Sequence, residues 1–375
     1  MGFTQGGVQR HVWDIVEFMS KEGYFSTVIT ANVSNRMRPA IKKNNPRSDI
    51  RLISIGDFWF GPKSIYVPGI IKYYTQVRKS ISKLVSSKRY DIIHAHGVTA
   101  AFPLSYVETT SCKIATIHGD PRLTTPFYFI FPTYFINRLN TFNHIISVSR
   151  RVAELLVAQG LRVPLTIIPN WVSQKFISTP PRYTDSIHQN FSSSLKIIFI
   201  GRIDPKKNID ELLRALQIVN SKIPVVLRVV GSAEDFIYLH KLKRLASKLG
   251  INERVFWLGH RSDILELLDS SDIFVLPSSS EGLPIALLEA MARQVPVIGT
   301  DVGDMGDIIR SSKGGIVIKQ PDHKTIAEAI LFLSSHSVRK EMGKRGRDFI
   351  LRYHEPRSCL AKLMQIYEKC VDTVS

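Results

Sequence analysis

The stretch from Ile273 to Thr300, IFVLPSSSEGLPIALLEAMARQVPVIGT, limits the fold more than any other part of the chain. It reads as a strand from Ile273 to Pro277, a short polar loop, a helix, and a second strand from Val295 to Gly299. Two apolar strands joined through a helix form the repeating unit of a parallel α/β sheet. The loop from Ser278 to Gly282 carries little side-chain bulk, and Pro284 suits the first helical position, where its missing N–H costs nothing. Backbone N–H groups at the positive end of that helix suit an anion such as a phosphate.

Two carboxylates bracket this anion site, Glu281 just before the helix and Glu289 inside it. Carboxylates repel phosphate and accept hydrogen bonds from hydroxyls. The pair therefore fits a ligand with a diphosphate at its centre and sugar rings on both sides. A plainer reading has Glu281 completing a Ser278-x-x-Glu281 capping box and Glu289 solvated.

A second anchor follows the strand KIIFIGR, which begins after Leu195. Arg202 and Lys207 lie five residues apart on a strand-to-helix loop, GRIDPKKN, and a tight loop would point both cations at one diphosphate. Together the loop, the helix, the Glu281 to Glu289 spacing and the Gly-Arg strand end resemble the retaining family-4 glycosyltransferases of the GT-B fold. That resemblance implies that Glu281 contacts the transferred sugar and that Glu289 holds the ribose of the nucleotide. It further implies that backbone amides near Gly282 and Leu283 meet the distal phosphate, and that Arg202 and Lys207 neutralise the leaving diphosphate.

The same resemblance extends to the first half. Gly6-Gly7 precedes an amphipathic helix running to about Lys21, with Val12, Ile15, Val16 and Met19 on its buried face. The resemblance implies that Gly7 belongs to a loop closing over the donor diphosphate, with Gln9 toward the acceptor. His118, in IATIHGDP, falls at the carboxyl end of a predicted strand, where open α/β sheets bind ligands. By resemblance it reaches the donor sugar; a structural histidine is the plainer reading. In one respect the chain departs from the family, because only Met1 to Gln5 precede the Gly-Gly loop. The resemblance implies a first strand ahead of that loop, and without one its neighbours are expected to lack ladder partners unless the domain is repaired in another way.

Strands are expected at Tyr24 to Ala31, Ile50 to Ile55, Asp91 to His96, Lys113 to His118, His144 to Val148 and Leu165 to Pro169. Residues 69 to 89 read as a helix with Tyr74, Val77, Ile81 and Leu84 inward and Lys72, Lys79 and Lys83 outward, either a sheet cover or a face for anionic lipid. The aromatic windows 57 to 66 and 127 to 136 fit an acceptor groove, a lipid-facing loop or ordinary core. His94 and His96 lack a Cys or carboxylate set to complete a metal site, and no Asp-x-Asp ends a strand. Asp301, Asp304 and Asp307 read as caps for the helix that follows.

The formal charge of +18 is unevenly spread: residues 1 to 175 carry 22 Lys and Arg against 9 Asp and Glu. Such a half fits an anionic partner, a membrane leaflet or nucleic acid, yet no helix-turn-helix, zinc or RNA-binding signature is present. No apolar run reaches the roughly 18 residues a membrane span needs, and no secretory signal is visible. Cys112, Cys359 and Cys370 are few and scattered, so a disulfide framework is not expected and a reducing cytosol fits.

The expectation is thus an α/β protein of GT-B type, two facing Rossmann-like doubly wound domains with a cleft between them. The N-terminal domain would cover residues 1–175, a linker 176–194, the nucleotide-sugar domain 195–353, and a helix crossing back 354–375. The function expected is retaining transfer of a sugar from a nucleotide-diphosphate sugar to a glycan or lipid-linked acceptor, in cell-surface polysaccharide or glycolipid assembly. It would run in the cytoplasm or on the inner membrane face, with an anionic membrane surface as a further partner, no cofactor, no metal and no nucleic acid. The alternatives are a GT-B nucleotide-sugar epimerase and a non-enzymatic basic protein binding membrane or nucleic acid.

Overall fold

The computed structural model describes residues 7–30, 38–41, 51–55, 67–87, 89–121, 132–181, 193–233 and 235–374. The chain divides into two compact units. One ends at Asn170 and takes in the last helix, from Arg357 onward; the other is Trp171–Pro356.

The N-terminal unit is built on a seven-stranded sheet: β1 Phe25–Thr30, β2 Arg38–Ile41, β3 Arg51–Ile55, β4 Ile92–His96, β5 Cys112–Ile117, β6 His144–Ser147 and β7 Leu165–Ile167. Its order is β2-β1-β3-β4-β5-β6-β7, parallel except for the β1–β2 pair. The sequence reading missed β2, a four-residue antiparallel strand whose RPAI begins with a charge followed by a proline. The expected gap in the ladder does not occur among the described strands. β3 pairs with β1 on one side and β4 on the other, so the ladder is continuous through the place where a partner was expected to be lacking.

β4 is buried along its whole length and β5 almost so, as strands covered on both faces must be. The helix Gly7–Lys21 buries Val12, Ile15, Val16 and Met19. Those positions recur at three- and four-residue steps and make one stripe, worth about 1.5–3 kcal/mol per fully buried aliphatic side chain. In the helix Val67–Ser87, Val77 and Ile81 are buried while Lys79 and Lys83 are exposed.

The closing helix, Pro356–Val374, buries Cys359, Leu360, Leu363, Ile366, Tyr367 and Cys370 in a similar stripe. There the structure corrects the reading of the cysteines. Cys112 and Cys370 are joined as a disulfide, with their Cα atoms 6.0 Å apart, and Cys359 remains a free buried thiol. Cys359 and Cys370 stand on one helix, too far apart along it to bridge; the pair that forms spans 258 residues, a separation along which no local pattern runs. Its persistence depends on the redox poise of the compartment.

The C-terminal unit has six parallel strands: β8 Leu195–Ile200, β9 Val225–Val230, β10 Val255–Gly259, β11 Ile273–Leu276, β12 Val297–Thr300 and β13 Gly315–Ile318. Their order, β10-β9-β8-β11-β12-β13, runs outward in both directions from the β8–β11 pair. That pair is the topological switch point, where the loops after neighbouring strands diverge and leave a crevice for ligand. The core strands are fully buried apart from their ends, and Arg228 on β9 donates to Ser270 O at 2.9 Å and Ser270 Oγ at 2.8 Å. Behind the sheet, buried Arg293 forks both oxygens of Asp269 at 2.7 Å. It also donates to the carbonyls of Phe176, Thr179 and Pro180, tying that segment to this unit.

Candidate functional site

The loops of Arg202–Lys207 and Ser278–Gly282 leave the two strands of the switch point, so the sheet order alone sets them side by side. Hydrogen bonds fasten them. Asp204 caps a 3-10 turn, Pro205–Lys207, with its side chain accepting from Lys206 N, and Asn208 follows in the left-handed region at φ 48°. Asn208 Nδ2 then donates to Pro277 O at 2.8 Å, and Ser279 N donates to Lys206 O at 2.8 Å. Asn208 and Ser279 are the residues sequence reading did not single out. An Asn where the turn must take positive φ was the available signal for the first.

The fastened loops bring Lys207 Nζ into direct contact with Glu281 Oε1, both side chains being largely buried. Ser278, fully buried, donates to the same carboxylate oxygen at 2.8 Å. The capping-box alternative for Glu281 is therefore not what forms, because the Ser hydroxyl meets the carboxylate and no side chain caps the helix. That helix is Ile285–Ala292, with Pro284 in the N-cap position rather than inside the first turn. Its N-terminal amides stay directed toward the loop without an acidic side chain in the first turn.

Gly282 and Leu283 lie between Glu281 and the helix. The backbone there is pressed by the next loop: Asp304 N donates to Gly282 O at 3.1 Å, and Gly303, at φ 54°, sits so close that a Cβ would fall 2.1 Å from Gly282 O. Glu289, one helical stretch further on, is only 1% exposed, so the solvated reading of it does not hold. Arg202 lies two residues past the end of β8, its side chain 43% exposed and its Nε 4.0 Å from Asp204 Oδ2. Lys207 is thus committed to Glu281, whereas the Arg202 guanidinium reaches solvent.

Two aspartates of the β12 loop and the helix after it are paired with an arginine. Asp304 occupies the N-cap of Met305–Ser312 with no side-chain cap bond, while Asp301 and Asp307 both accept from Arg310, at 2.9 and 2.6 Å.

In the N-terminal unit, His118 follows β5 and is half-buried. Burial lowers its pKa to about 3, so at pH 7 it is a neutral imidazole. Its Nε2 lies 3.4 Å from Nδ1 of His96, the last residue of β4, and the rings of His11 and His118 meet edge to face at 4.9 Å. His94, two residues back on β4, has both nitrogens engaged, by Tyr367 OH at 2.6 Å and Thr116 Oγ1 at 2.7 Å. The gathering of His11, His96 and His118 was invisible in the sequence, where only the His94–His96 pair adjoins. Gly7 and Gln9 stand in the first turn of the opening helix. The aromatic window 57–66 lies outside the described residues, as do residues 127–131 of the second window; the rest of that window opens the helix Pro132–Leu139, where Phe135 and Ile136 are core.

Two α/β units, each on a mainly parallel sheet, one of them with a basic and an acidic loop fastened together at its switch point, make a doubly wound architecture of the kind that binds ligands in such crevices. Residues 5–176 match the model described as Glycosyltransferase Family 4, and residues 184–349 match Glycosyl transferases group 1. The chain belongs to the family-4 glycosyltransferases of the GT-B fold.

Among relatives, the putative glycosyltransferase EpsD of Bacillus subtilis is 34% identical over 178 residues, which is 47% of this chain and 46% of that one. The match therefore spans about half the length of EpsD. An Escherichia coli enzyme described as UDP-Gal:alpha-D-GlcNAc-diphosphoundecaprenol alpha-1,3-galactosyltransferase is 24% identical over 328 residues, covering 81% of this chain and 83% of its own. The structure of Anabaena HepE in complex with UDP-glucose superposes with a TM-score of 0.73 at 16% identity, covering 98% of both chains, a likeness of fold.

Proposed function

We propose that this protein transfers a sugar from a nucleoside-diphosphate sugar to a glycan or lipid-linked acceptor, with retention of configuration, in the assembly of a surface polysaccharide or glycolipid. The observation that carries the reading is the fastening of the two switch-point loops, which sets Lys207 against Glu281 beside an uncapped helix start.

In the reaction the bond between the anomeric carbon and the diphosphate oxygen breaks, and the electron pair leaves with the phosphate. Lys207, Arg202 and the amides near Gly282 and Leu283 stabilise that charge as it develops, a role that positioned cations and helix amides fill without a metal ion. Glu281 accepts a hydrogen bond from the sugar, and Glu289 accepts from the ribose. On the N-terminal unit His118, neutral at pH 7, serves as a hydrogen-bond partner for the sugar rather than a counter-charge, with Gly7 on the donor side and Gln9 on the acceptor side. The acceptor hydroxyl oxygen forms the new bond to the anomeric carbon and passes its proton to the departing diphosphate.

The basic first half supports work at the inner face of an anionic membrane. Among the described residues no helix is long and apolar enough to cross one. The lipid-linked substrate named for the E. coli relative supports the same reading.

The test is a panel of nucleotide-sugars scored for saturable binding. The reading expects one donor to bind, and Lys207→Ala and Glu289→Ala to lose it; parent-like binding by both variants contradicts the site. Release of nucleotide only when acceptor is present separates transfer from epimerisation.

A further inference from the structure

His11, His96 and His118 come from three different elements, the opening helix, the end of β4 and the residue after β5, yet one ring nitrogen from each lies within 4.8 Å of the other two. His11 and His96 are buried and His118 half-buried. We propose that these three imidazoles form a binding site for a single divalent transition-metal ion of the zinc class.

The spacing fits. Tetrahedral zinc with bonds of about 2.0–2.1 Å to imidazole has nitrogen–nitrogen edges of about 3.4 Å. His118 Nε2 and His96 Nδ1 already stand 3.4 Å apart, poor for a hydrogen bond and right for two ligands of one ion. The other separations, up to 4.8 Å, close by about 1.4 Å at most, within reach of small side-chain rotations. The rings also spread around a point instead of stacking on one axis. His11 stands at 85° to His118 and at 68° to His96, so each can aim an edge at a common centre.

The surroundings separate ligand from wall. His94 packs its ring 4.1 Å from that of His96, but Tyr367 and Thr116 take both of its nitrogens, so it supports the site without binding. His96 differs: its Nδ1 has only the long 3.4 Å approach of His118, and its buried Nε2 has no hydrogen-bond partner among the described residues, so neither nitrogen is held by a good hydrogen bond to the protein.

Donor chemistry sets the class of ion. Three neutral nitrogens with no carboxylate suit Zn²⁺, Ni²⁺ or Cu²⁺ and exclude the oxygen-seeking Mg²⁺ and Ca²⁺. Three protein ligands leave the fourth position of a tetrahedron to water. Metal binding itself is independent of the proposed function. Its consequence rests on that reading: an ion on His118 takes the lone pair that the sugar would meet, so zinc is a reversible inhibitor of transfer.

The experiment is a Zn²⁺ titration of the full chain against a chromophoric chelator, with X-ray absorption at the zinc edge. The expected result is one ion per chain in an all-nitrogen or oxygen shell with imidazole scattering. His11→Gln and His118→Gln should each weaken binding at least tenfold. Exposed His240→Gln should leave it unchanged, and a large excess of Mg²⁺ should not compete. Absence of binding at micromolar zinc, a sulfur shell, or an affinity indifferent to both ligand variants overturns the site. Should a ligand variant misfold, the absorption spectrum of the parent chain decides. If zinc binds through these histidines and turnover continues at full rate, the metal site stands and the role given to His118 falls.

Discussion

Glu281 and a diphosphate compete for one ammonium group, and this makes opposite predictions for two single substitutions. Lys207 contacts Glu281 with both side chains about 14% exposed, so solvent screens the pair only in part. Removing the lysine takes away a charge-assisted hydrogen bond to the phosphate, worth about 1.5–3 kcal/mol. Lys207→Ala should therefore weaken UDP binding by roughly 10- to 100-fold, at about 1.4 kcal/mol per factor of ten.

Replacing the carboxylate by an amide acts the other way. A neutral acceptor holds an ammonium about half as strongly as a charged one, so Glu281→Gln releases on the order of 1 kcal/mol of competition. UDP should bind about fivefold tighter to that variant. UDP-glucose should gain less, because the amide is a weaker acceptor for the sugar hydroxyl. Isothermal titration with UDP and UDP-glucose on the parent and both variants, at one fixed low salt concentration, measures all of this. Weaker UDP binding by Glu281→Gln, or binding by Lys207→Ala within twofold of the parent, would refute the competition.

Gly303→Ala should push the β12 loop off the Gly282 carbonyl and weaken UDP binding at least tenfold by titration. Gly250→Ala, at φ 68° but with nothing near its Cβ, should cost only about 1 kcal/mol of stability and leave binding alone. Arg293→Met strands the buried Asp269 carboxylate and should destabilise the C-terminal unit by about 3–5 kcal/mol in urea denaturation, only part of it recovered by adding Asp269→Leu, because the carbonyls of Phe176, Thr179 and Pro180 still lack their donor. Protein purified without reductant should show one titratable thiol when denatured, Cys359, and three after reduction; three before reduction would mean the Cys112–Cys370 bond does not form.

The most legible parts of the chain were those where a local pattern reports a local structure. The apolar runs around Ile197 and Phe274 announced strands, and the three- and four-residue recurrence of Val12, Ile15, Val16 and Met19 announced a helix stripe. Lys207 and Glu281 could be named from motif and loop chemistry, but not their contact, since it depends on β8 and β11 being sheet neighbours 73 residues apart, the spacing from Ile200 to Ile273. β3 taking the position between β1 and β4, Cys112 meeting Cys370, and His11 joining His96 and His118 fail to show for the same reason. Each is fixed by tertiary topology, to which neither periodicity nor spacing has access. Asp301 and Asp307 read as caps because aspartate at a helix start usually is one; that Arg310 binds an oxygen of each has no sign in the local pattern.

A crystal structure of the chain with UDP bound tests the central claim most directly. The account predicts a diphosphate at the β8–β11 switch point, within hydrogen-bond distance of Lys207 Nζ and of the amides at Gly282 and Leu283, with the ribose hydroxyls on the Glu289 carboxylate. A diphosphate bound elsewhere, or ribose hydroxyls more than about 5 Å from Glu289 and so beyond any direct hydrogen bond, would contradict it.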